Sequence, residues 1–464
     1  MNSKKQYKRL IMLFTSFTIL AIITALWGFI WYTYYDDAIW FPFFRKGNWL
    51  VIAVYSLLSF TFTNIYGGYK IGFLKRGDVI YSSILSALFV NGVTYLQISL
   101  MGRHFLSVFP MIILTVADIV CILIWAVSAH NLYQKLYPPH KMLVIFGKGS
   151  AESLINKMNT RTDKYEIAEM VNIEDGIDNV FERIVDYDSV IICDVKAEAR
   201  NRILKYCFDN SIRTYLTPKI SDTIVRGATE NHLFDTPLLL CRNLGLTFEQ
   251  QLIKRLFDLL FASIALLLCF PFMVLTAIAI KLYDRGPVFY KQLRFTKDGR
   301  VFPLYKFRSM IVDAENQSGA CLASKNDVRI TPIGRFIRKL RIDELPQFIN
   351  ILKGDMSVVG PRPERPEIAQ QYEETIPEFR FRLKVQAGLT GYAQVLGKYN
   401  TTPYDKLKLD LMYIERYSIL LDIKLILMTI KILFMPSSTE GVDEVPSDEC
   451  KQGELDVQES LIEK

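Results

Sequence analysis

Two adjacent carboxylates, Asp343 and Glu344, stand in the run Arg338-Lys-Leu-Arg341-Ile-Asp343-Glu344-Leu-Pro346-Gln. Pro346 followed by Phe348, Ile349, Ile351 and Leu352 predicts a helix that starts here, because proline is tolerated in a first turn. Acids at a helix N-terminus are favoured in the ionised form by the free amides and the dipole. An ionised aspartate can act as a nucleophile, and its neighbour can hold a divalent cation. Asp343 could equally cap the helix and do nothing more. The segment alone leaves both roles open.

Three further segments carry charge where a plain core has no need of it. In Gly354-Asp355-Met-Ser-Val-Val-Gly360-Pro361-Arg362-Pro363-Glu364, two prolines stiffen the backbone around one guanidinium, whose planar fork suits phosphate oxygens. In Tyr305-Lys306-Phe307-Arg308-Ser-Met, strand alternation puts Lys306 and Arg308 on one face, toward a diphosphate or a membrane surface. In Gly388-Leu-Thr-Gly391-Tyr-Ala-Gln394-Val-Leu-Gly397-Lys398, the glycines permit tight turns and Lys398 adds positive charge. None of these has the spacing of a Walker A loop.

Several chemistries are excluded by what is missing. The four histidines are His104, His130, His140 and His232, so the C-terminal half has no Ser-His or Cys-His nucleophile. Seven scattered cysteines form no Cys-x-x-Cys pair, which argues against a zinc site or a disulfide framework. The formal charge of +7 fits lipid headgroups and anionic substrates, with no nucleic acid partner implied.

The elements that must position these residues are read from hydropathy. Apolar stretches near 10–31, 49–66, 79–101 and 106–129 each meet the roughly 20-residue length needed to cross hydrocarbon. Lys4, Lys5, Lys8 and Arg9 before the first stretch, Lys70, Lys75 and Arg76 in the second loop, and Lys135 and Lys141 after the fourth place both ends in the cytoplasm. Met142-Leu-Val-Ile-Phe146 and Val190-Ile-Ile-Cys193 read as buried strands of a parallel α/β unit. Its Gly147-Lys-Gly149 turn is a broken dinucleotide fingerprint, because Glu152 stands where a third glycine belongs. A second apolar run, Leu252 to Ile280, contains Pro271 and has basic residues at both ends. That pattern fits a re-entrant hairpin broken at the proline, the other reading being a kinked fifth span.

Together the motifs resemble the bacterial sugar transferase domain of the polyprenyl-phosphate hexose-1-phosphate transferases, the monotopic phosphoglycosyl transferases. The resemblance starts at Lys254-Arg-Leu-Phe-Asp258 and ends near Phe434. It implies that Asp343 attacks the sugar-linked phosphate of a UDP-sugar and releases UMP, and that undecaprenyl phosphate then accepts the phosphosugar. It also implies that Glu344 is a Mg²⁺ ligand, that Lys306, Arg338 and Arg362 bind phosphate, and that Asp410 falls on a family acidic position. Arg308 and Lys398, read from the strand pattern and the glycine segment, complete the candidate phosphate- and substrate-binding set. Glucose, then galactose, is the sugar expected from the large-member architecture. Two departures stand out. Phe270 precedes Pro271 where the family often has serine, and Lys398 stands where arginine is common.

The expected architecture is an α+β membrane protein of the bacterial inner membrane with its catalytic face in the cytoplasm. Residues 1–135 form a transmembrane four-helix bundle, 140–245 a Rossmann-like α/β domain, and 250–435 the catalytic domain with a re-entrant membrane helix. Residues 436–464 form a disordered acidic tail. The bundle offers a surface for a homodimer. A membrane glycosyltransferase that releases UDP, or a non-catalytic scaffold for polysaccharide assembly, are the competing readings.

Overall fold

A computed structural model describes residues 7–43, 46–147, 151–241, 245–312, 329–397 and 401–433. The chain divides into two compact units, Met1–Pro218 and Lys219–Lys464. Among the described residues five helices are long and apolar enough to cross a membrane, and the chain is a membrane protein.

The first unit opens with four of those helices: α1 (Lys8–Ile30, extended by a π turn at Trp31–Tyr35), α2 (Lys46–Tyr66), α3 (Arg76–Gly102) and α4 (Phe109–Leu136). They match the four stretches read from hydropathy, each longer by up to two turns. Their outer faces carry exposed Phe14, Phe17, Leu57, Leu96 and Ile124, as expected of helices apolar on every side. Between them pack Trp27, Trp31, Tyr35 and Tyr55, with Trp27 stacked on Tyr55 at 5.1 Å.

The α/β part follows as β1 (His140–Phe146), α5 (Glu152–Asn159), β2 (Tyr165–Asn172), α6 (Ile177–Ile184), β3 (Ser189–Cys193), α7 (Ala197–Asp209) and β4 (Arg213–Leu216). The strands form one parallel sheet in the order β2-β1-β3-β4, with Met142 to Ile145 fully buried at its centre. Gly147 closes β1 because a Cβ there would lie 2.2 Å from the Asp194 carbonyl. Glu152 is the exposed first residue of α5.

The second unit begins at Lys219. Helix α8 (Ile220–Arg226) places buried Ile220 and half-buried Ile224 in the same apolar cluster as Leu407, Leu411 and Ile414 of the C-terminal core, so it groups with that core. A two-stranded hairpin, β5 (Thr229–Leu233) and β6 (Thr236–Leu240), follows. Helix α9 (Phe248–Asp284) is then 37 residues long, with Thr247 and Gln250 forming a capping box at its start. Pro271 lies inside this element, with helix on both sides of it.

Both ends of α9 are tied to the rest of the unit. Lys254 pairs with Asp422 at 2.7 Å, both side chains being buried, and Arg255 caps the Ile351 and Leu352 carbonyls at 2.6 and 2.8 Å. At the far end Asp284 pairs with Arg308. Between these anchors Leu256, Leu260, Leu267, Leu268, Phe272 and Leu275 are all exposed.

The remaining elements are β7 (Phe289–Phe295), β8 (Val301–Phe307), α10 (Pro332–Lys339), α11 (Gln347–Lys353), β9 (Ser357–Val359), α12 (Pro366–Thr375), β10 (Gly388–Thr390), α13 (Tyr392–Leu396), α14 (Pro403–Glu415) and α15 (Ile419–Leu433). β7 and β8 are antiparallel, whereas β9 and β10 are parallel. The buried Asn350 amide stitches α11 to β8, accepting from Tyr305 N at 2.9 Å and donating to Pro303 O at 2.8 Å. That stitch brings the start of α11 alongside Lys306.

Candidate active site

Asp343 and Glu344 share one 3₁₀ turn, Ile342–Glu344, between α10 and α11. The expected helix begins at Gln347, so the acids stand just ahead of it and do not form its first turn. Arg341 leads into the turn with φ +54°, a left-handed conformation that costs a non-glycine residue energy and that clusters at functional sites.

Four cations act on this pair. Arg362 donates to Glu344 Oε1 at 2.9 Å, and Arg341 lies 3.8 Å from the same oxygen. Lys306 on β8 and Arg338 in the last turn of α10 add their charge to the field at Asp343. Among the described residues, Asp343 itself has no hydrogen-bond or ion-pair partner.

The two acids are therefore held differently. Burial and the adjacent Glu344 carboxylate push Asp343 up to about 6, although Lys306, Arg338 and Arg341 pull the other way. Burial would also raise Glu344, but Arg362, Lys306 and Arg341 outweigh it and hold that carboxyl well below its usual range. Burial drives the Lys306 ammonium down to about 8 against the pull of Glu344. Near neutral pH the turn thus presents an ionised, unpartnered and comparatively basic carboxylate beside one that is clamped. The first is what nucleophilic attack needs.

The glycine motifs serve this geometry in a way that local reading missed. A Cβ on Gly388 would lie 2.0 Å from Gly360 N, and one on Gly391 would lie 2.2 Å from Gly360 O. Gly388 and Gly391 are therefore required by the touching backbones of β9 and β10, and not by tight turns. Gly360 N donates to Thr390 O and Gly388 N to Pro361 O, each at 2.8 Å. The Pro361-Arg362-Pro363 segment leaves β9 from this junction.

Not every expected residue joins the pair. Arg308 follows β8, and its guanidinium is taken by Asp284 at the end of α9. Asp410 is 1% exposed and pairs with Arg382 at 2.9 Å, away from the acid pair's own ion pairs. Lys398 and the expected acidic tail lie outside the described residues. The sequence reading missed Arg341 as a partner of Glu344, and also Arg294, Arg382 and Glu364. Arg341 had a signal in its three-residue spacing from Glu344; the others become visible only through tertiary contact.

Among the described residues no group of three or more His, Cys, Asp or Glu gathers as a metal cage. Mg²⁺ characteristically takes one or two carboxylates and completes its shell with water and substrate phosphates. The adjacent acids fit that pattern: Glu344 Oε1 is engaged by Arg362, and Oε2 is the atom that could hold such an ion.

The model of the bacterial sugar transferase family matches residues 249–436. A UDP-N-acetylgalactosamine-undecaprenyl-phosphate N-acetylgalactosaminephosphotransferase of Aeromonas hydrophila is 40% identical over 53% of this chain and 59% of its own length. A UDP-glucose:undecaprenyl-phosphate glucose-1-phosphate transferase of Klebsiella pneumoniae is 35% identical over 55% of this chain and 54% of its own. The chain thus spans less than two thirds of these two relatives. An undecaprenyl-phosphate glucose phosphotransferase of Komagataeibacter xylinus is 33% identical over 76% of this chain and 69% of its own length. That similarity extends well upstream of the acid pair, and on this footing the chain belongs to the bacterial sugar transferase family.

Proposed function

We propose that this protein transfers a hexose-1-phosphate from a UDP-sugar to undecaprenyl phosphate and releases UMP. The observation that carries this reading is the unpartnered Asp343 carboxylate next to a Glu344 clamped by Arg362, with cations on several sides. In the first step an Asp343 oxygen attacks the sugar-linked phosphorus, and the bond from that phosphorus to the oxygen of UMP breaks. UMP leaves and the phosphosugar stays on the aspartate. In the second step a phosphate oxygen of the lipid attacks the same phosphorus, the aspartyl bond breaks, and the carboxylate is restored.

Arg362, Lys306, Arg338 and Arg341 supply the charge that receives a diphosphate. Mg²⁺, held by Glu344 and the substrate phosphates, would supply further neutralisation of the diphosphate. The relatives are named for glucose and for N-acetylgalactosamine, so glucose is the first donor to test, with galactose and N-acetylgalactosamine beside it.

We also read α9 as re-entrant, returning to the cytoplasmic face that it left. A straight 37-residue helix is about 55 Å long, far beyond the hydrocarbon thickness. Both of its charged ends bond to the same unit, which supports a return to one side.

Nucleotide analysis of a single reaction decides the chemistry. The purified chain with Mg²⁺, undecaprenyl phosphate and UDP-glucose is expected to release UMP. Release of UDP would favour an ordinary glycosyltransferase, and no release from any of the three donors would favour a scaffold.

A further inference from the structure

The turn that aims Arg362 at Glu344 has few ways to be held. Pro361 and Pro363 have no backbone N–H, so the segment is fixed chiefly through its carbonyls. All three are taken. Pro361 O accepts from Gly388 N at 2.8 Å, Arg362 O from Arg382 Nη2 at 2.8 Å, and Pro363 O from Arg294 Nη1 at 3.0 Å.

The two guanidiniums that do this are enclosed, with side chains 4% and 14% exposed, whereas that of Arg362 is 41% exposed. Only Arg362 is placed to meet a ligand. Arg382 pairs with Asp410 at 2.9 Å and lies 3.6 Å from Glu364, which in turn lies 3.9 Å from Arg294. A buried ion cluster loses much of its Coulomb energy to desolvation and adds little net stability. The ordinary values are indeed displaced here: burial brings Arg294 down to about 10 and Asp410 up to about 6. What such a cluster does well is hold several carbonyls in fixed directions, since each guanidinium carries a rigid fork of donors.

We propose that Arg382 and Arg294, balanced by Asp410 and Glu364, are positioning residues that fix the Pro361–Pro363 backbone so that Arg362 reaches Glu344. This rests on the phosphoglycosyl transfer reading of the site. It also gives Asp410 a role behind the catalytic face, in place of direct substrate contact.

The test is a double-mutant cycle on the full chain, read by UMP release. Arg382→Gln is expected to lower kcat/KM by about 10- to 100-fold, but by less than about 3-fold when Arg362→Ala is already present. Equal losses in both backgrounds would show that Arg382 acts on the fold at large and would overturn the proposal. Arg294→Lys, a milder change, is expected to give the same non-additive pattern if Arg382→Gln does not fold. A second readout needs no activity: phenylglyoxal should modify Arg362 faster in Arg382→Gln than in the parent chain, with exposed Arg335 as the internal reference. An unchanged rate at Arg362 would overturn the positioning role. Absence of UMP release from the parent chain would instead sink the proposed reaction, and the modification experiment would still decide the positioning.

Discussion

Two layers of charge meet at the Pro361–Pro363 turn, and they are balanced differently. In the front layer Lys306, Arg338, Arg341 and Arg362 surround Asp343 and Glu344, so four cations answer two carboxylates. In the layer behind, Arg294 and Arg382 are matched by Glu364 and Asp410, and these groups are largely enclosed. The rear layer is balanced in charge, two cations against two carboxylates, and one edge of each guanidinium holds a carbonyl of the turn. The front layer has positive charge to spare and one carboxylate without a partner. The surplus of the front layer suits a multiply charged anion, such as the diphosphate of the proposed donor, whereas the rear layer has no surplus to offer. The same residue types thus build a reactive surface or a scaffold, according to whether their charge is balanced internally.

The largest way to break this comparison is to remove the unpartnered acid. Asp343→Asn is expected to cut UMP release at least about 1000-fold with little change in melting temperature, because the side chain it alters bonds to none of the described residues. Near-normal turnover in that variant would remove Asp343 as the nucleophile. Next is the clamped acid: Glu344→Gln, or removal of divalent cations by a chelator, should each cost on the order of 100-fold or more. Full turnover in chelator would separate Glu344 from any metal role.

Arg362→Lys keeps the charge but loses the planar fork. We expect a loss of about 10- to 100-fold, measured as kcat/KM for the UDP-sugar. A neutral outcome would mean that the front layer works as bulk charge and not through directed bonds.

The pH profile offers a finer test. Asp343 is raised to about 6, so its carboxylate is present above that pH and protonated below it. The acid limb of kcat/KM should therefore fall about tenfold per pH unit below about 6 and be flat just above. Lys306→Met removes a cation that favours the ionised form, so the limb should move upward, by about one unit. A limb that stays in place would detach Lys306 from the pair. The smallest effect is expected at Arg335→Ala, an exposed cation of α10 outside both layers, with less than about a twofold change in turnover.

Much of this site was legible because its parts are contiguous in the chain. Asp343 and Glu344 are neighbours, Arg362 stands between two prolines, and Lys306 sits in an alternating strand pattern. The membrane helices were equally plain, since an apolar run of sufficient length has few other uses. Legibility ended where a residue's role depends on a distant partner. Lys306 and Arg308 lie two positions apart on β8 and its end, yet one faces the acids and the other is bound to Asp284. The glycines of the 388–391 segment looked like turn residues until β9 was found against them. The place of α8 was hidden for the same reason, because it finds its apolar partners on α14.

The sequence by itself determined which groups are available: the paired acids, the stiffened arginine, the absence of histidine from the catalytic half and the apolar helices that demand a membrane. These follow from composition and short-range spacing, which fix local conformation and chemistry. Only the tertiary structure decided which acid is clamped and which is left open, because that choice rests on Arg362 reaching back 18 residues to Glu344. It likewise decided that Asp410 pairs with Arg382, an arginine 28 residues away in the chain. Charge–charge energies depend on separation in space and on burial, and a linear sequence specifies neither.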